Sequence, residues 1–439
     1  MEKQYKVFKF RLYPTEEQKT QINKTIGCCR YIYNWALSMH EQAHKAGDKS
    51  PLNLSERLKE MKKNEETIWL KEADSVALIS AIRNNDTAYE NFFKGNAKHP
   101  VYRKKGNIGS YETQLKSNFY NKINDGIIIL PKMGEVKVVA HRYVDINAVK
   151  NYVTISRNTI GEYYISIKVL VDSVAEPTTV ATTENTIGID LGVKDLAILD
   201  DSTVYGKFKA NKRAIKHKKR LQRRLAKKVG GKKGETKSNN YIKLERKIAK
   251  IDLTIARQRE NYQYNVIKSI TDRECDYIAV EDLNVKGMEK KGGNRKKGLN
   301  KGIANAAMGE FKIRLNNKAQ DKGKKVVEID RWYPSSKICH ECGYKYRDLK
   351  LSQRSWVCPS FGAKLGRDHN AAINIKNEGV RTLVEIQKNI PKCKGDFMSV
   401  EGETKQGKKK RMASSTPAPV ESENTKQKSI KAVEHQQVA

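Results

Sequence analysis

The chain has 439 residues, too many for one ordinary domain and enough to bury a sizeable core. Its 86 Lys and Arg against 50 Asp and Glu leave a net charge of +36, far more than solubility needs, and point to a polyanionic partner, because each phosphate neutralised releases counterions. No apolar run approaches the ~20 residues of a membrane helix, and the opening MEKQYKVFKFRLYP lacks a signal-peptide core, so a prokaryotic, cytoplasmic, nucleoid-associated location is expected.

Residues 4–13 alternate in character. Phe8, Phe10 and Leu12 share one face and Lys9 and Arg11 the other, which predicts a strand ended by Pro14. Thr15 with Gln18 has the pattern of a capping box, opening a helix with Ile22, Ile26, Cys29, Tyr33 and Ala36 along one side. Ser55 is expected to cap a short charged helix containing Leu58 and Met61. Asp74 is expected to cap another with the stripe Leu78, Ile82, Tyr89 and Phe93. Residues 15–95 thus read as a small helical bundle. From about 100 to 175 the period becomes two. GIIILP (126–131), EVKVV (135–139), YVTI (152–155) and YYISIKVLV (163–171) read as strands, and the first strand pairs most simply with them. The result is a β-barrel or sandwich interrupted by the helices. Polar, Thr-rich residues 172–185 read as a linker.

TIGIDLGVKDLAILDD (186–201) then reads as strand, glycine turn and second strand. Residues 209–270 read as a basic helical hairpin broken at GGKKGETKSNN, and no acid occurs between 202 and 234. Exposed helices usually interleave charges. Lys212, Arg213, Lys216, Lys219, Arg220, Arg223, Arg224 and Lys227 are therefore candidate phosphate contacts. DYIAVEDL (276–283) and KVVEIDR (325–331) read as strands, and KKGGNRKKGLNKG (290–302) as a mobile basic loop. Low-complexity residues 399–439 are expected to be disordered. Seven cysteines, three of them within 339–358, suit a reducing compartment and one metal site better than a disulfide framework.

Three carboxylates stand out by position. Asp190 ends the strand TIGID, Glu281 ends YIAVE, and Asp368 opens the helix RDHNAAINI. Strand C-termini of an α/β sheet are where ligands bind. Singly, each acid reads as a turn or cap residue. Together, beside such basic helices, they read as a site for Mg²⁺ or Mn²⁺, which hard oxygen ligands suit and without which converging carboxylates repel. Two such ions clamp the attacking water and the leaving 3′ oxygen in phosphodiester hydrolysis. Asp282 points to the opposite side of an extended strand and is left a supporting role at most.

As a set, TIGIDLGVKDLAIL, YIAVEDLNVKGM and WYPSSKICHECG…WVCP…RDHNAAINI resemble the RuvC blocks of TnpB, the OrfB proteins of small insertion sequences, ancestral to type V CRISPR effectors. KVFKFRLYPTEEQ and IGCCRYIYNWAL resemble that family's opening, so the likeness spans residues 4–376. It implies an α/β plus β fold. An RNase H-like RuvC domain would occupy 186–332 and 364–380, with a zinc-ribbon-like insert at 333–363. A wedge β-barrel would occupy 1–14 and 96–175, a helical recognition domain 15–95, a linker 176–185 and a C-terminal tail 381–439. The resemblance further implies a transposon-encoded, RNA-guided DNA endonuclease. Its partners would be a guide RNA from the transposon end and double-stranded target DNA, with a short motif beside the target read by the protein. Catalysis would rest on a D-E-D set that maps onto Asp190, Glu281 and Asp368.

In the family the ribbon carries four cysteine ligands. Cys339 and Cys342, with Gly343 after them, match the first pair, and Cys358 with Pro359 begins the second, but Phe361 stands where the fourth cysteine belongs. Just before Asn-Ala-Ala the family reads His-Asp-Arg-Asp, and this chain reads Leu365-Gly366-Arg367-Asp368. Three accounts follow. Zn²⁺ is held by three thiolates and a substitute such as His340, His369 or Cys393; or the ribbon is metal-free and Phe361 packs as an apolar plug; or the copy is decaying, because a loosened ribbon precedes Asp368. The alternative function is accordingly a cleavage-impaired RNA-guided DNA-binding protein acting by occupancy. A DNA transposase proper is a third reading, against which the sequence shows no HUH-type motif with a tyrosine nucleophile.

Overall fold

The computed structural model describes residues 3–47, 53–106, 108–115, 120, 122–230, 236–288, 296–350 and 353–389. The expected disorder of 399–439, and Cys393, lie outside the described residues.

The chain opens with β1 (Lys3–Tyr13), α1 (Glu16–Lys45), α2 (Leu54–Met61), a 3₁₀ stretch over Glu65–Glu72 and α3 (Ser75–Phe93). Five strands follow: β2 (Gly109–Gln114), β3 (Ile127–Leu130), β4 (Gly134–Val139), β5 (Val149–Arg157) and β6 (Tyr163–Asp172). They form one antiparallel sheet in the order β2-β5-β6-β1-β4-β3. Strand β1 does pair with the later strands, Phe10 lying opposite Ile165. No ladder joins β2 to β3 among the described residues, so the sheet is open where a closed barrel was one expectation.

The capping box at Thr15 and Gln18 is present, and Ile22, Cys29, Tyr33 and Ala36 are buried along α1. Asp74 caps α3 by accepting from the Ala77 N–H. Two local expectations fail. Asn53 precedes α2 and Ser55 lies inside that helix, and the α3 stripe stops short of Phe93, which is 73% exposed. The helices are not a separate bundle. Ile22, Ile32 and Leu78 share one core with Phe10, Leu12, Ile165 and Ile167 of the sheet.

Past residue 185 come β7 (Thr186–Leu191), β8 (Asp195–Leu199), β9 (Val204–Gly206), α4 (Lys212–Leu225), α5 (Asn239–Thr271), β10 (Tyr277–Glu281) and α6 (Val285–Met288). Then follow α7 (Lys296–Ala306), α8 (Met308–Gln320), β11 (Lys325–Ile329), β12 (Ser355–Val357), β13 (Lys364–Gly366) and α9 (Arg367–Asn389). The main sheet runs β11-β10-β7-β8-β9. Strands β7, β10 and β11 are parallel, with β8 and β9 antiparallel. Residues 296–302, expected as loop, belong to α7, and α9 runs past residue 381 with Leu383 buried.

Helices cover both faces of this sheet, as the continuous apolar run 277–280 of β10, buried on both sides, requires. Ile189, Ile278 and Val280 pack on Ile267 of α5 and on Phe311 and Leu315 of α8. On the other face Ala279, Val327 and Ile329 pack on Ile375 and Leu383 of α9. Two glycines let α9 lie almost on the strands. A Cβ at Gly188 would fall 2.1 Å from the Ala372 carbonyl oxygen, and one at Gly379 would fall 2.4 Å from the Ala279 Cβ. The irregular stretch 173–185 is fastened to this unit, where Gln387 Nε2 donates to the Thr179 carbonyl over 2.9 Å and Ala181 is buried. Among the described residues no helix is long and apolar enough to cross a membrane.

Candidate active site

Strands β7 and β10 are parallel neighbours with Ile189 beside Val280, so Asp190 and Glu281 end adjacent strands side by side. Both alternate with residues of the α5–α8 face and so point to the α9 side. Asp368 sits in the first turn of α9, and the close approach at Gly188 carries that helix end to the same strand tips.

Asp190 lies within electrostatic reach of both other acids. Burial pushes the Asp190 carboxyl up to about 7, and the charges of Glu281 and Asp368 push the same way, against Arg367 and Arg354. Asp190 keeps partial contact with solvent at the strand tip while protein crowds its other sides. Burial also raises Glu281, opposed by the Ser335 hydroxyl, which donates to Glu281 Oε1. Asp368 is drawn aside by arginines: Arg354 Nη1 and Arg367 Nη2 each lie 2.9 Å from a carboxylate oxygen. Among the described residues no choice of one oxygen from each of the three carboxylates brings them within 4.8 Å of one another, a spacing that the three thiols do reach. Three hard-oxygen donors gathered against their mutual repulsion form a donor set that suits Mg²⁺ or Mn²⁺. Asp282 faces the opposite side and pairs with Lys312 of α8 at 3.4 Å and with Arg331.

The basic hairpin is as expected in kind. Leu221 of α4 packs on Leu244 and Ile248 of α5, and Lys218 pairs with Asp252. Lys212, Arg213, Lys216, Lys219, Arg220, Arg223, Arg224 and Lys227 are all exposed, and none pairs with a carboxylate among the described residues. Six residues of α4, among them Arg213, Lys216 and Arg220, line a shallow cleft of about 460 Å³.

Asn370 and Asn374 went unassigned in the sequence reading. Both are buried, one turn apart on α9. Asn374 Nδ2 donates to the Ser335 and Ile338 carbonyls at 2.8 and 2.6 Å. Asn370 Nδ2 donates to the Ile338 carbonyl at 2.7 Å, and its Oδ1 accepts from the His340 N–H at 3.0 Å. They tie the start of the ribbon to α9 and hold Ser335 against Glu281. The sequence shows two amides at i and i+4 on one side of a helix, which marks a shared role without naming the partners.

In the ribbon, Cys342 Sγ and Cys358 Sγ are 3.5 Å apart, and all three sulfurs of Cys339, Cys342 and Cys358 lie within 4.8 Å of one another. Phe361 is no plug. It is 62% exposed, while Leu349, Trp356 and Leu365 form the small ribbon core. Neither histidine substitutes for the missing cysteine. His340 Nδ1 contacts Asn370 Oδ1, and His369 Nε2 contacts Ser202 Oγ and the Asp200 carbonyl.

Family models match three stretches. Residues 1–49 match the OrfB IS605-type "Helix-turn-helix domain", 166–292 the OrfB IS605-type "Probable transposase", and 309–375 the "Cas12f1-like, TNB domain". Within the first, residues 3–47 fold as strand β1 and the single helix α1. A Streptomyces pristinaespiralis protein, named as a candidate RNA-guided DNA endonuclease, is 32% identical over 87% of this chain and 90% of its own. InsQ of Escherichia coli K12, named in the same way, is 32% identical over 87% of this chain and 94% of its own. A cryo-EM structure of a Cas12f1–sgRNA–target DNA complex aligns with 85% of this chain and 99% of its own at 13% identity, with a TM-score of 0.49, too loose a likeness to carry an argument.

Proposed function

Because the chain belongs to the TnpB family, the OrfB proteins of small insertion sequences, we propose that it is a guide-RNA-directed, divalent-metal-dependent DNA endonuclease. The observation that carries this reading is the meeting of Asp190, Glu281 and Asp368 at one end of the β7–β10–β11 sheet. Asp190, Glu281 and Asp368 would hold two divalent cations. When bound, these supply the charge that activates the attacking water and stabilises the leaving 3′ oxygen. The chain's own contribution is placement. Adjacent strands fix two carboxylates, α9 presents the third, and Ser335 orients Glu281 through its hydroxyl. The exposed cations of α4 would grip phosphates of an RNA–DNA duplex without reading sequence. The sheet domain would act as the wedge and helices α1–α3 as the recognition surface. The guide would come from the transposon end, the target would be double-stranded DNA, and the setting the prokaryotic nucleoid.

The test is co-expression with the flanking DNA, sequencing of the RNA that co-purifies, and incubation with a target carrying a randomised flank plus Mg²⁺. The nuclease reading expects one RNA species and cut DNA beside one short motif, with cutting abolished and RNA retained in Asp190→Ala. A preparation without RNA, or Asp190→Ala that loses its RNA, overturns it. Phe361 favours one alternative, an RNA-guided binder with impaired cleavage. That alternative is recognised by target held intact under the same conditions.

A further inference from the structure

The ribbon has one protein ligand fewer than a tetrahedral site needs, yet what remains is built for metal. The sulfurs of Cys339, Cys342 and Cys358 come from two turns of the same design. Gly343 N–H donates to the Cys339 carbonyl at 2.8 Å, and Gly362 N–H donates to the Cys358 carbonyl at 2.8 Å. Both glycines have positive φ, 73° and 72°. Backbone N–H groups of Glu341 and Cys342 favour the thiolate of Cys339, and those of Ser360 and Phe361 favour that of Cys358. This turn shape costs conformational freedom and does nothing for an apolar core; it presents sulfur to a cation. The spacing agrees, since two thiolates on a tetrahedral zinc with bonds of about 2.3 Å lie about 3.8 Å apart, close to the 3.5 Å between Cys342 and Cys358.

The fourth position has no occupant from the described chain. Among the described residues no His, Asp, Glu or further Cys joins the group. The residue that should supply it, Phe361, turns its ring to solvent, and Cys342 beside it is exposed. The side of the cluster that a fourth ligand would approach is therefore open.

We propose that Cys339, Cys342 and Cys358 form a three-thiolate site for Zn²⁺ whose fourth coordination position takes an exchangeable small thiol from solution. Sulfur is the preferred donor for a cation already held by three thiolates. The exposed Lys345, Lys350 and Lys364 of the same ribbon, within a chain of net charge +36, favour an anionic ligand. The incoming thiol binds as thiolate, releases its proton to solvent and displaces water. The site would thus load, exchange and lose its metal according to the thiol around it, unlike a closed four-cysteine ribbon. This inference rests on the ribbon alone and holds whether or not the chain cuts DNA.

Co²⁺ as an optical probe tests it on the full-length protein. Equimolar Co²⁺ should give tetrahedral d–d bands and a sulfur-to-cobalt charge-transfer band about three-quarters as intense as that of Phe361→Cys, in proportion to the thiolates bound. Added glutathione should raise the wild-type band towards the Phe361→Cys value and leave that variant unchanged. Cys393→Ser should behave as wild type. The proposal falls if Phe361→Cys takes up Co²⁺ and wild type does not. It also falls if the wild-type spectrum ignores glutathione, or if Cys393→Ser weakens the band, which would make the fourth ligand internal.

Discussion

The carboxylate site and the thiol ribbon hang from the same helix and are built on opposite principles. The acids come from β7, β10 and α9, three elements locked by a core that includes Ile189, Val280 and Phe311 on one face and Ala279 and Ile375 on the other. Their meeting point is set by strand register and by the contact at Gly188, so it persists despite the repulsion between the charges. The described part of the ribbon has a small core, Leu349, Trp356, Leu365 and two buried cysteines with Tyr346 and Ala363 packed against them. So small a core needs a staple, and zinc binding supplies folding free energy directly. A lost ligand therefore matters first to the ribbon. It reaches the acids through the run of β13 into α9 and through contacts that include Asn370 and Asn374 to the ribbon backbone, Ser335 to Glu281, and Arg354 to Asp368.

That division is broken or sharpened most strongly by removing one ligand from each site. Asp190→Ala should lower the cleavage rate on the order of 10³-fold or more and leave guide-RNA affinity unchanged. Cys339→Ser should abolish metal uptake by the ribbon and lower cleavage indirectly, by roughly 10–100-fold, as disturbed supporting contacts do. Equal losses in rate would erase the distinction between site and scaffold. Asn374→Ala should come next. It strips buried donors from the Ser335 and Ile338 carbonyls, at a cost of about 1–3 kcal/mol. Amide hydrogen exchange should quicken across residues 335–345 and not in the β1–β6 sheet. Unchanged exchange in the ribbon would mean that the asparagines do not hold it.

A smaller effect separates the sites by pH. Asp190 titrates near pH 7 in the folded chain, against an ordinary aspartate value of 3.8. Between those values the folded chain keeps a proton that the unfolded chain has released, so stability falls as pH rises through that window. Above about 7 both states are ionised and the whole cost is present. Asp190→Asn removes the cost. In magnesium-free buffer its Tm should match wild type at pH 4 and exceed it at pH 8 by on the order of 2 °C. Identical profiles would show that neither burial nor the neighbouring acids raise the Asp190 carboxyl as described. Thiol titration is common to both proteins and cancels from that difference.

What was legible in the sequence was local. The alternation of Phe8, Phe10 and Leu12, the Thr15–Gln18 box, the Asp74 cap and the acids at two strand ends are each written within a few residues. What was illegible was decided at a distance. Strand β2 carries polar GSYETQ, and only pairing with β5 shows that Tyr111 and Thr113 are its buried face. Helix α7 begins in a Lys- and Gly-rich run that mimics a loop, and is fixed by Ile303 and Ala306 packing into the main core. The open edge between β2 and β3 depends on which strands meet. The candidate acids could be found because each terminates an apolar strand or opens a helix. Asn370 and Asn374 could not be assigned, because their partners are backbone carbonyls of a segment more than thirty residues away in the chain.

The finest of these contrasts lies in the salt bridge where ribbon and site touch. Arg354, just before β12, places Nη1 2.9 Å from Asp368 Oδ2, while its own carbonyl accepts from the Arg367 N–H at 2.8 Å. The Arg354 side chain is half exposed, and an exposed pair of this kind is worth only about 0.2–1 kcal/mol. Any cation that Asp368 helps to hold must compete with that guanidinium. Arg354→Ala should therefore lower the Mg²⁺ concentration for half-maximal cleavage by about 1.4–5-fold, the same free energy expressed as a ratio. Arg354→Lys should fall between the two, since lysine keeps the charge without the fork. A rise in the Mg²⁺ requirement would mean the reverse, that the ribbon aims Asp368 through Arg354. The absence of a thiol at 361 would then have a direct line to the candidate carboxylates.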